Sequence, residues 1–258
     1  MGESMQASVV RAGQIVSLLD LTSLSGSETP AMIDALSARA SGPCGRVAAV
    51  CVFARHIPQA KAGLERLGLQ DVELATVVNF PAGELDAAGS VQEIGTALTL
   101  GATEVDLVFP YRAFLLGQED AVGDYLKTCR EVCPVRLKVI LETGVLGHED
   151  WIRAASRLAV DCGADFLKTS TGKAAIHATP EAARTMLSVI AERGGAVGFK
   201  ASGGLRVMGD ALVYLEVAEK ILGSGWISPR TLRFGASALL DDVLAVAARG
   251  GRGCAGSA

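Results

Sequence analysis

The chain has 258 residues, of which 50% are hydrophobic and 20% are charged, and its formal net charge is −4 at pH 7. This composition excludes a largely disordered protein, and the small negative charge gives no general attraction to nucleic acid or to anionic membranes. The chain opens without a basic segment followed by an apolar one, and no run of about 18 apolar residues occurs. We therefore expect a globular cytoplasmic protein that is not exported, does not span a membrane and acts on a small molecule.

Eight short apolar runs rich in β-branched residues alternate with longer, alanine-rich segments of helical pattern. In chain order, the predicted strands cover residues 15–21, 47–53, 72–79, 104–109, 136–142, 166–171, 196–202 and 232–236. The predicted helices cover residues 58–67, 90–100, 121–132, 148–162, 180–193 and 209–222.

This alternation predicts an α/β fold with a single domain, a closed parallel (β/α)8 TIM barrel over residues 1–248. An open doubly wound sheet is the alternative, although the first strand is not followed by the G-x-G-x-x-G sequence of its dinucleotide-binding version. Residues 249–258 are rich in glycine and lack an apolar period, so we expect a flexible C-terminal tail.

Polar residues interrupt the predicted strands at six positions, which are Asp20, Cys51, Asp106, Lys138, Lys168 and Lys200. If the faces that carry these residues point inward, period-two alternation brings three lysines and two aspartates together inside the barrel. Buried charges must be paired, so such a cluster would be balanced by its own carboxylates. The alternative is that each lysine lies at the barrel rim and keeps its ammonium group in water.

Lys168 is the strongest candidate nucleophile. It lies at the end of an apolar run and is followed by T-S-T-G at 169–172, which is typical of a strand that leads into a ligand-binding loop. A lysine is nucleophilic only as the free amine, and both burial and a second cation lower its pKa. Lys200, on the following predicted strand, is the candidate second cation.

Glycines lie at the ends of three consecutive predicted strands: Gly172 follows the sixth, Gly203 and Gly204 follow the seventh, and Gly235 with Ala236 and Ser237 closes the eighth. Glycine lets backbone N–H groups approach a ligand closely, and the loops after the last two strands of such barrels commonly bind phosphate. This pattern predicts a phosphorylated substrate. The alternative is that each glycine only forms a turn.

The cysteines and histidines indicate neither a disulfide nor a metal site. The six cysteines form no C-x-x-C pair, and a chain of this size folds without disulfides, so we expect reduced thiols. The histidines, His56, His148 and His177, have neither H-x-H nor H-E-x-x-H spacing. We expect no metal and no cofactor.

Seven segments, in matching order and spacing, make the sequence similar to the deoxyribose-phosphate aldolases over nearly its whole length. They read L-L-D-L-T at 18–22, A-T-V-V-N-F-P at 75–81, E-V-D-L-V-F-P-Y-R at 104–112, L-K-V-I-L-E-T at 137–143, F-L-K-T-S-T-G at 166–172, G-F-K at 198–200 with G-G-L-R at 203–206, and R-F-G-A-S at 233–237. The combination of K-T-S-T-G with a second lysine and with V-D-L-V-F-P is highly specific.

The resemblance implies a class I aldolase, a lyase that reversibly cleaves 2-deoxy-D-ribose 5-phosphate to acetaldehyde and D-glyceraldehyde 3-phosphate through a lysine Schiff base. By position, it implies that Lys168 forms the Schiff base, that Lys200 keeps Lys168 neutral, and that Asp106 is the general acid and base, acting through water. It also implies a homodimer or higher homo-oligomer and a place in deoxyribose phosphate catabolism.

The resemblance further implies the residues that bind the substrate. Asp20 and Thr22 would bind substrate hydroxyls at the mouth, Cys51 would be an active-site cysteine, and Lys138 would lie among the binding residues. The phosphate would be held by Thr171, Gly172, Lys173, Gly203, Gly204, Gly235 and Ser237.

Three departures from the family pattern affect these expectations. Ala201 and Ser202 replace a Pro-Ala pair found in several members, and Ala238 replaces a serine, which would weaken phosphate binding. The last residue is Ala258 rather than the tyrosine that some members place near the active site. The alternatives are another lysine-dependent sugar-phosphate aldolase and a phosphate-binding barrel without catalysis, which the presence of Asp106 argues against.

Overall fold

Eight parallel strands close into a barrel in the computed structural model, which describes residues 2–252 and the side chains of residues 9–249. The strands are β1 (Leu19–Ser23), β2 (Ser41–Gly42), β3 (Gly45–Arg46), β4 (Ala49–Val52), β5 (Glu73–Val78), β6 (Glu104–Val108), β7 (Arg136–Ile140), β8 (Phe166–Lys168), β9 (Gly198–Ser202) and β10 (Leu232–Ala236). Strands β2 and β3 form a separate antiparallel hairpin. The other eight pair in the order β1, β10, β9, β8, β7, β6, β5, β4 and back to β1. The predicted (β/α)8 barrel is confirmed, and the open sheet is wrong.

Helices surround the barrel and connect its strands. They are α1 (Gly2–Ser17), α2 (Pro30–Ala38), α3 (Ile57–Arg66), α4 (Ala87–Leu100), α5 (Tyr111–Leu115), α6 (Glu119–Val132), α7 (Thr143–Leu146), α8 (Glu149–Asp161), α9 (Pro180–Glu192), α10 (Met208–Leu222) and α11 (Leu239–Arg252), with 3-10 turns at Ala54–His56 and Ser224–Trp226. The six helices predicted from the sequence all occur, with ends close to those predicted. Within the described residues, no helix is long and apolar enough to cross a membrane.

The first strand begins later than predicted. Residues 15–17 belong to helix α1, and the strand starts at Leu19. Ala12, Ile15 and Val16 are buried at helical spacing, because α1 packs against α11. The apolar run that predicted one strand therefore joins the last turn of a helix to the strand.

The expected tail also differs from the structure. Helix α11 continues through Arg252, so residues 249–252 are helical. Residues 253–258 lie outside the described residues, as do Cys254 and Ala258.

The ends of the strands determine which residues reach the pocket. Strand β8 ends at Lys168, three residues before its predicted end, so Thr169, Ser170 and Thr171 continue into a loop. Active sites of such barrels form where the carboxyl ends of the strands and their loops meet. Lys168 is therefore the last strand residue before the loop that covers this end.

Candidate active site

The strand register places the predicted lysines side by side inside the barrel. Lys168 on β8 is opposite Lys200 on β9, and Asp106 on β6 is opposite Lys138 on β7. Lys138 and Lys200 are completely buried, and Lys168 is 3% exposed. The inward orientation is confirmed, and the alternative that these lysines keep their ammonium groups in water at the rim is wrong.

Asp106 holds all three lysines. Its Oδ1 accepts a hydrogen bond from Lys138 Nζ at 2.7 Å, and its Oδ2 accepts one from Lys168 Nζ and one from Lys200 Nζ, both at 2.8 Å. Burial alone would raise the pKa of Asp106, but the three lysines outweigh it, and the pKa lies well below its usual value. Asp106 is therefore an anion in the resting site.

Two further carboxylates and an arginine complete the buried cluster. Lys200 donates a hydrogen bond to Asp20, and Lys138 lies 2.7 Å from Glu104 Oε2. Arg233, only 2% exposed, reaches Asp20 Oδ1 at 2.6 Å and Glu104 Oε1 at 3.1 Å. Burial opposes ionisation of both carboxyls, yet the surrounding cations hold the pKa values of Asp20 and Glu104 below their usual values. All three carboxyls are thus ionised at neutral pH.

The lysines differ in proton affinity although they share one carboxylate. Burial lowers the pKa of Lys168, Asp106 opposes this, Lys200 lowers it further, and the result lies below the ordinary value. For Lys200, the same effect of burial is outweighed by Asp106 and Asp20, and its pKa is raised. Lys138 is likewise raised, because Asp106 and Glu104 outweigh burial. Lys168 is the member of this set that gives up its proton most readily.

A pocket of about 360 Å³ opens above this cluster at the carboxyl ends of the strands. Its lining includes nine of the residues expected at the site, which are Thr22, Lys168, Thr171, Gly172, Lys173, Gly203, Gly204, Gly235 and Ser237. Asp20, Cys51, Asp106, Lys138 and Lys200 are not part of this lining and are completely buried beneath it. Asp20 therefore lies below the pocket and not at its mouth, because its side chain is bound between Lys200 and Arg233.

Three glycines in the loops that line the pocket have left-handed backbones. Gly172, Gly203 and Gly204 have φ values of +78°, +84° and +82°, a region that other residues rarely adopt. Among the described residues, their N–H groups donate to no protein acceptor. A Cβ on Gly203 would come within 3.0 Å of the His177 side chain. These loops present the unpaired donors that an anion requires.

Charged side chains at the rim add to these donors. Lys173 and Arg206 both line the pocket and are exposed. Thr171 does not add a donor, because its N–H and its hydroxyl both donate to the buried Glu142 carboxylate. The hydroxyl also accepts a hydrogen bond from the Lys173 N–H at 3.0 Å, so Thr171 fixes the loop that carries Lys173.

Cys51, which is on β4, lies near the buried lysines and is buried among apolar side chains. Burial raises the pKa of its thiol, so it is neutral near pH 7. The described cysteines, Cys44, Cys51, Cys129, Cys133 and Cys162, are free.

Sequence reasoning missed four contributors to this site. Arg206 and Arg233 lie within segments used for the family resemblance, but no role was expected for either. Glu104 lies on the same face of β6 as Asp106, as period-two alternation indicates, but the alternation does not reveal which residues pair with Glu104. Glu142 has a left-handed backbone, with φ of +55°, which the sequence does not reveal.

The family model for the DeoC/LacD family of aldolases matches residues 15–244 of the chain.

Solved structures share the barrel. A candidate deoxyribose-phosphate aldolase from Toxoplasma gondii ME49 has a TM-score of 0.87 at 22% identity, covering 95% of this chain and 97% of that chain, and shows the fold alone. A candidate deoxyribose-phosphate aldolase from Coccidioides immitis has a TM-score of 0.79 at 26% identity, covering 95% and 98%. The deoxyribose phosphate aldolase of Aeropyrum pernix, described as a tetramer, has a TM-score of 0.72 at 25% identity, covering 93% and 95%.

Proposed function

The chain belongs to the DeoC/LacD family of aldolases, and from this premise we propose that it is a class I enzyme that reversibly cleaves 2-deoxy-D-ribose 5-phosphate. The products are acetaldehyde and D-glyceraldehyde 3-phosphate. One observation carries the proposal: Lys168 is the one lysine of the buried cluster that also lines the pocket, and its pKa is lowered. A reactive amine thus meets the space where a carbonyl would bind.

The phosphorylated substrate is supported by the rim. The pocket of about 360 Å³ falls in the range of small-molecule sites, roughly 300–1,000 Å³. On one side it offers the N–H groups of Gly172, Gly203 and Gly204 together with the cations of Lys173 and Arg206. This set matches a phosphate dianion, whereas Lys168 lies deeper, where the aldehyde end would reach. Named deoxyribose-phosphate aldolases among the structural relatives support the same sugar.

The chemistry follows from a neutral Lys168. Its Nζ adds to the C1 aldehyde, and loss of water gives an iminium that accepts the electrons of the C2–C3 bond when the C3 hydroxyl loses its proton. The bond breaks to release glyceraldehyde 3-phosphate and leave an enamine, which is protonated at C2 and hydrolysed to acetaldehyde. The iminium polarises the bond, so the proposed mechanism uses no cofactor.

Asp106 is proposed to move protons during these steps. Its Oδ2 is 2.8 Å from Lys168 Nζ, which places it next to the atom that gains and loses bonds. Because Asp106 has no exposed surface, it acts on the substrate through water or through groups attached to that nitrogen. Lys200 shares the same oxygen and holds it in place.

We also propose a homo-oligomer acting in deoxyribose phosphate catabolism in the cytoplasm. The tetrameric relative from Aeropyrum pernix supports assembly, and the free cysteines fit a reducing compartment.

Trapping with borohydride tests the proposed function. Incubation with acetaldehyde followed by reduction should leave an N-ethyl group on Lys168, found by peptide mass spectrometry, and Lys168→Ala should lose both the adduct and turnover. Lys173→Ala, which removes another pocket lysine, should keep the adduct. An unmodified Lys168 in protein that turns over the pentose phosphate would falsify the proposal. Saturable sugar-phosphate binding without turnover would support a binding barrel instead, and trapping of a different donor aldehyde would support another sugar-phosphate aldolase.

A further inference from the structure

Six buried side chains form a closed ring in which cations and carboxylates alternate. In order around the ring they are Arg233, Asp20, Lys200, Asp106, Lys138 and Glu104. The widest link, between Glu104 and Arg233, is 3.1 Å, and Lys200 is hydrogen-bonded to Asp20. The ring contains three cations and three carboxylates, so its charges cancel.

Lys168 is bound to this ring but is not a member of it. Its single ion pair within the described residues is with Asp106, whose charge is already shared by two ring lysines. A protonated Lys168 therefore gives the buried cluster one positive charge in excess. An uncompensated buried charge is costly, and loss of the proton removes it.

No other described acidic group forms an ion pair with Lys168. On β4, the buried Cys51 thiol is neutral, and just after β7, the Glu142 carboxylate is bound by the N–H and hydroxyl of Thr171 and lies beyond ion-pair distance of Lys168. The rim cations Lys173 and Arg206 are exposed and add no negative charge. At the opposite end of the barrel, Arg136 contacts Glu104 and also lies 4.0 Å from the partly exposed Glu73, with about a quarter of its side chain in water.

We propose that Glu104 and Arg233 are positioning residues for the reaction: by closing and neutralising the ring, they leave Lys168 as the excess cation that must lose its proton. Neither residue lines the pocket, and neither contacts Lys168. The inference rests on the proposed function only in taking Lys168 as the reactive amine.

Opposite charge changes in the ring distinguish this role from a structural one. Glu104→Gln leaves the ring with a net positive charge, which disfavours protonated Lys168. Arg233→Met leaves a net negative charge, which favours it. We expect the pH midpoint of Lys168 reactivity to fall by about one pH unit in the first variant and to rise by about one in the second.

Competitive labelling with acetic anhydride at a series of pH values measures this midpoint. The acetylated fraction of Lys168, read by mass spectrometry against a reference amine, does not depend on aldol turnover. A wild-type protein whose Lys168 labels with a lowered midpoint but never forms the acetaldehyde adduct would contradict the proposed function and leave the ring inference standing. The pH profile of kcat/KM should shift with the labelling midpoint in an active enzyme.

The double variant Glu104→Gln/Arg233→Met should return the midpoint close to that of the wild type, because it removes one charge of each sign. If the single variants do not fold, a shift of a full pH unit in the Lys168 midpoint of the double variant overturns the proposal. The exposed pair Arg46 and Asp71, 2.6 Å apart, offers matched controls, since Asp71→Asn and Arg46→Met should leave the midpoint unchanged. Single-variant shifts in the same direction, or no shift in either, would also overturn the inference.

Discussion

The barrel contains two layers, one directly above the other, that are built from different kinds of chemical group. The lower layer is the ring of charged side chains, which is closed to water and linked by ion pairs of 3.1 Å or less. The upper layer is the pocket rim, where glycine N–H groups and the exposed cations Lys173 and Arg206 line an open space. Charge interactions are strong where water is absent and weak where it is present. Substitutions in the lower layer should therefore alter the chemical step, and substitutions in the rim should alter phosphate affinity.

Asp106→Asn should have the largest effect of the three changes that compare these layers. We expect kcat to fall by about 10²–10⁴-fold, because the proton-transfer group is lost, and the free energy of unfolding to fall by roughly 3–5 kcal/mol, because three buried lysines lose their shared carboxylate. Steady-state assays at saturating substrate and urea unfolding measure these two quantities.

Asp124→Asn is the control for Asp106→Asn. Asp124 is exposed and lies 3.8 Å from Lys127, so its removal should change the free energy of unfolding by less than about 0.5 kcal/mol. A kcat of Asp106→Asn within tenfold of the wild-type value would remove Asp106 from proton transfer.

Gly203→Ala should act on the rim alone. The backbone there has a φ of +84°, and an added Cβ would come within 3.0 Å of His177, so the loop must shift. We expect KM for the phosphorylated sugar to rise about tenfold, because roughly one charge-assisted hydrogen bond to the phosphate is lost. The kcat/KM for unphosphorylated 2-deoxyribose should change little, and steady-state kinetics with both sugars measure the difference.

Gly117→Ala separates backbone strain from loss of the phosphate contact. Gly117 has a similar φ of +80° and no atom within 4 Å of an added Cβ. Gly117→Ala should lower the free energy of unfolding by about 1 kcal/mol, comparable with the effect of backbone strain at Gly203, and should leave KM unchanged. Equal losses with both sugars in Gly203→Ala would show that the Gly203 loop does not hold the phosphate.

The sequence contains most of the barrel because each strand and helix carries its own local pattern. Strand β10 begins and ends where the alternation of Leu232–Ala236 predicts. The predicted start of β1 was wrong because Ile15 and Val16 of helix α1 are separated from Leu18 and the strand by Ser17 alone, with no glycine or proline between them. Helix α1 packs against α11, and this contact joins opposite ends of the chain, so a local pattern does not contain it.

In the site, likewise, local sequence predicts the direction of side chains but not their long-range partners. The inward direction of Lys138, Lys168 and Lys200 follows from period-two alternation, so three lysines could be placed together from the sequence. The pairing of Arg233 with Glu104 could not, because these residues are 129 positions apart and meet only when the strands tilt around a closed barrel. The carboxylates around each lysine also decide which lysine gives up its proton, and these partners come from distant strands.

Lys173→Ala should have the smallest effect and shows how much water weakens the rim. Lys173 is exposed, so its attraction for a phosphate is screened, and its removal should raise KM for the phosphorylated sugar by about 2- to 5-fold with kcat unchanged. The difference from the wild type should shrink when the ionic strength is raised to about 1 M, where the Debye length is only about 3 Å. Lys127→Ala, which removes an exposed lysine outside the pocket, should leave KM unchanged at both salt concentrations. If Lys173→Ala raises KM equally in high salt, the ammonium group of Lys173 is shielded from water when the phosphate binds, as the ring is, and the screened rim is the wrong description.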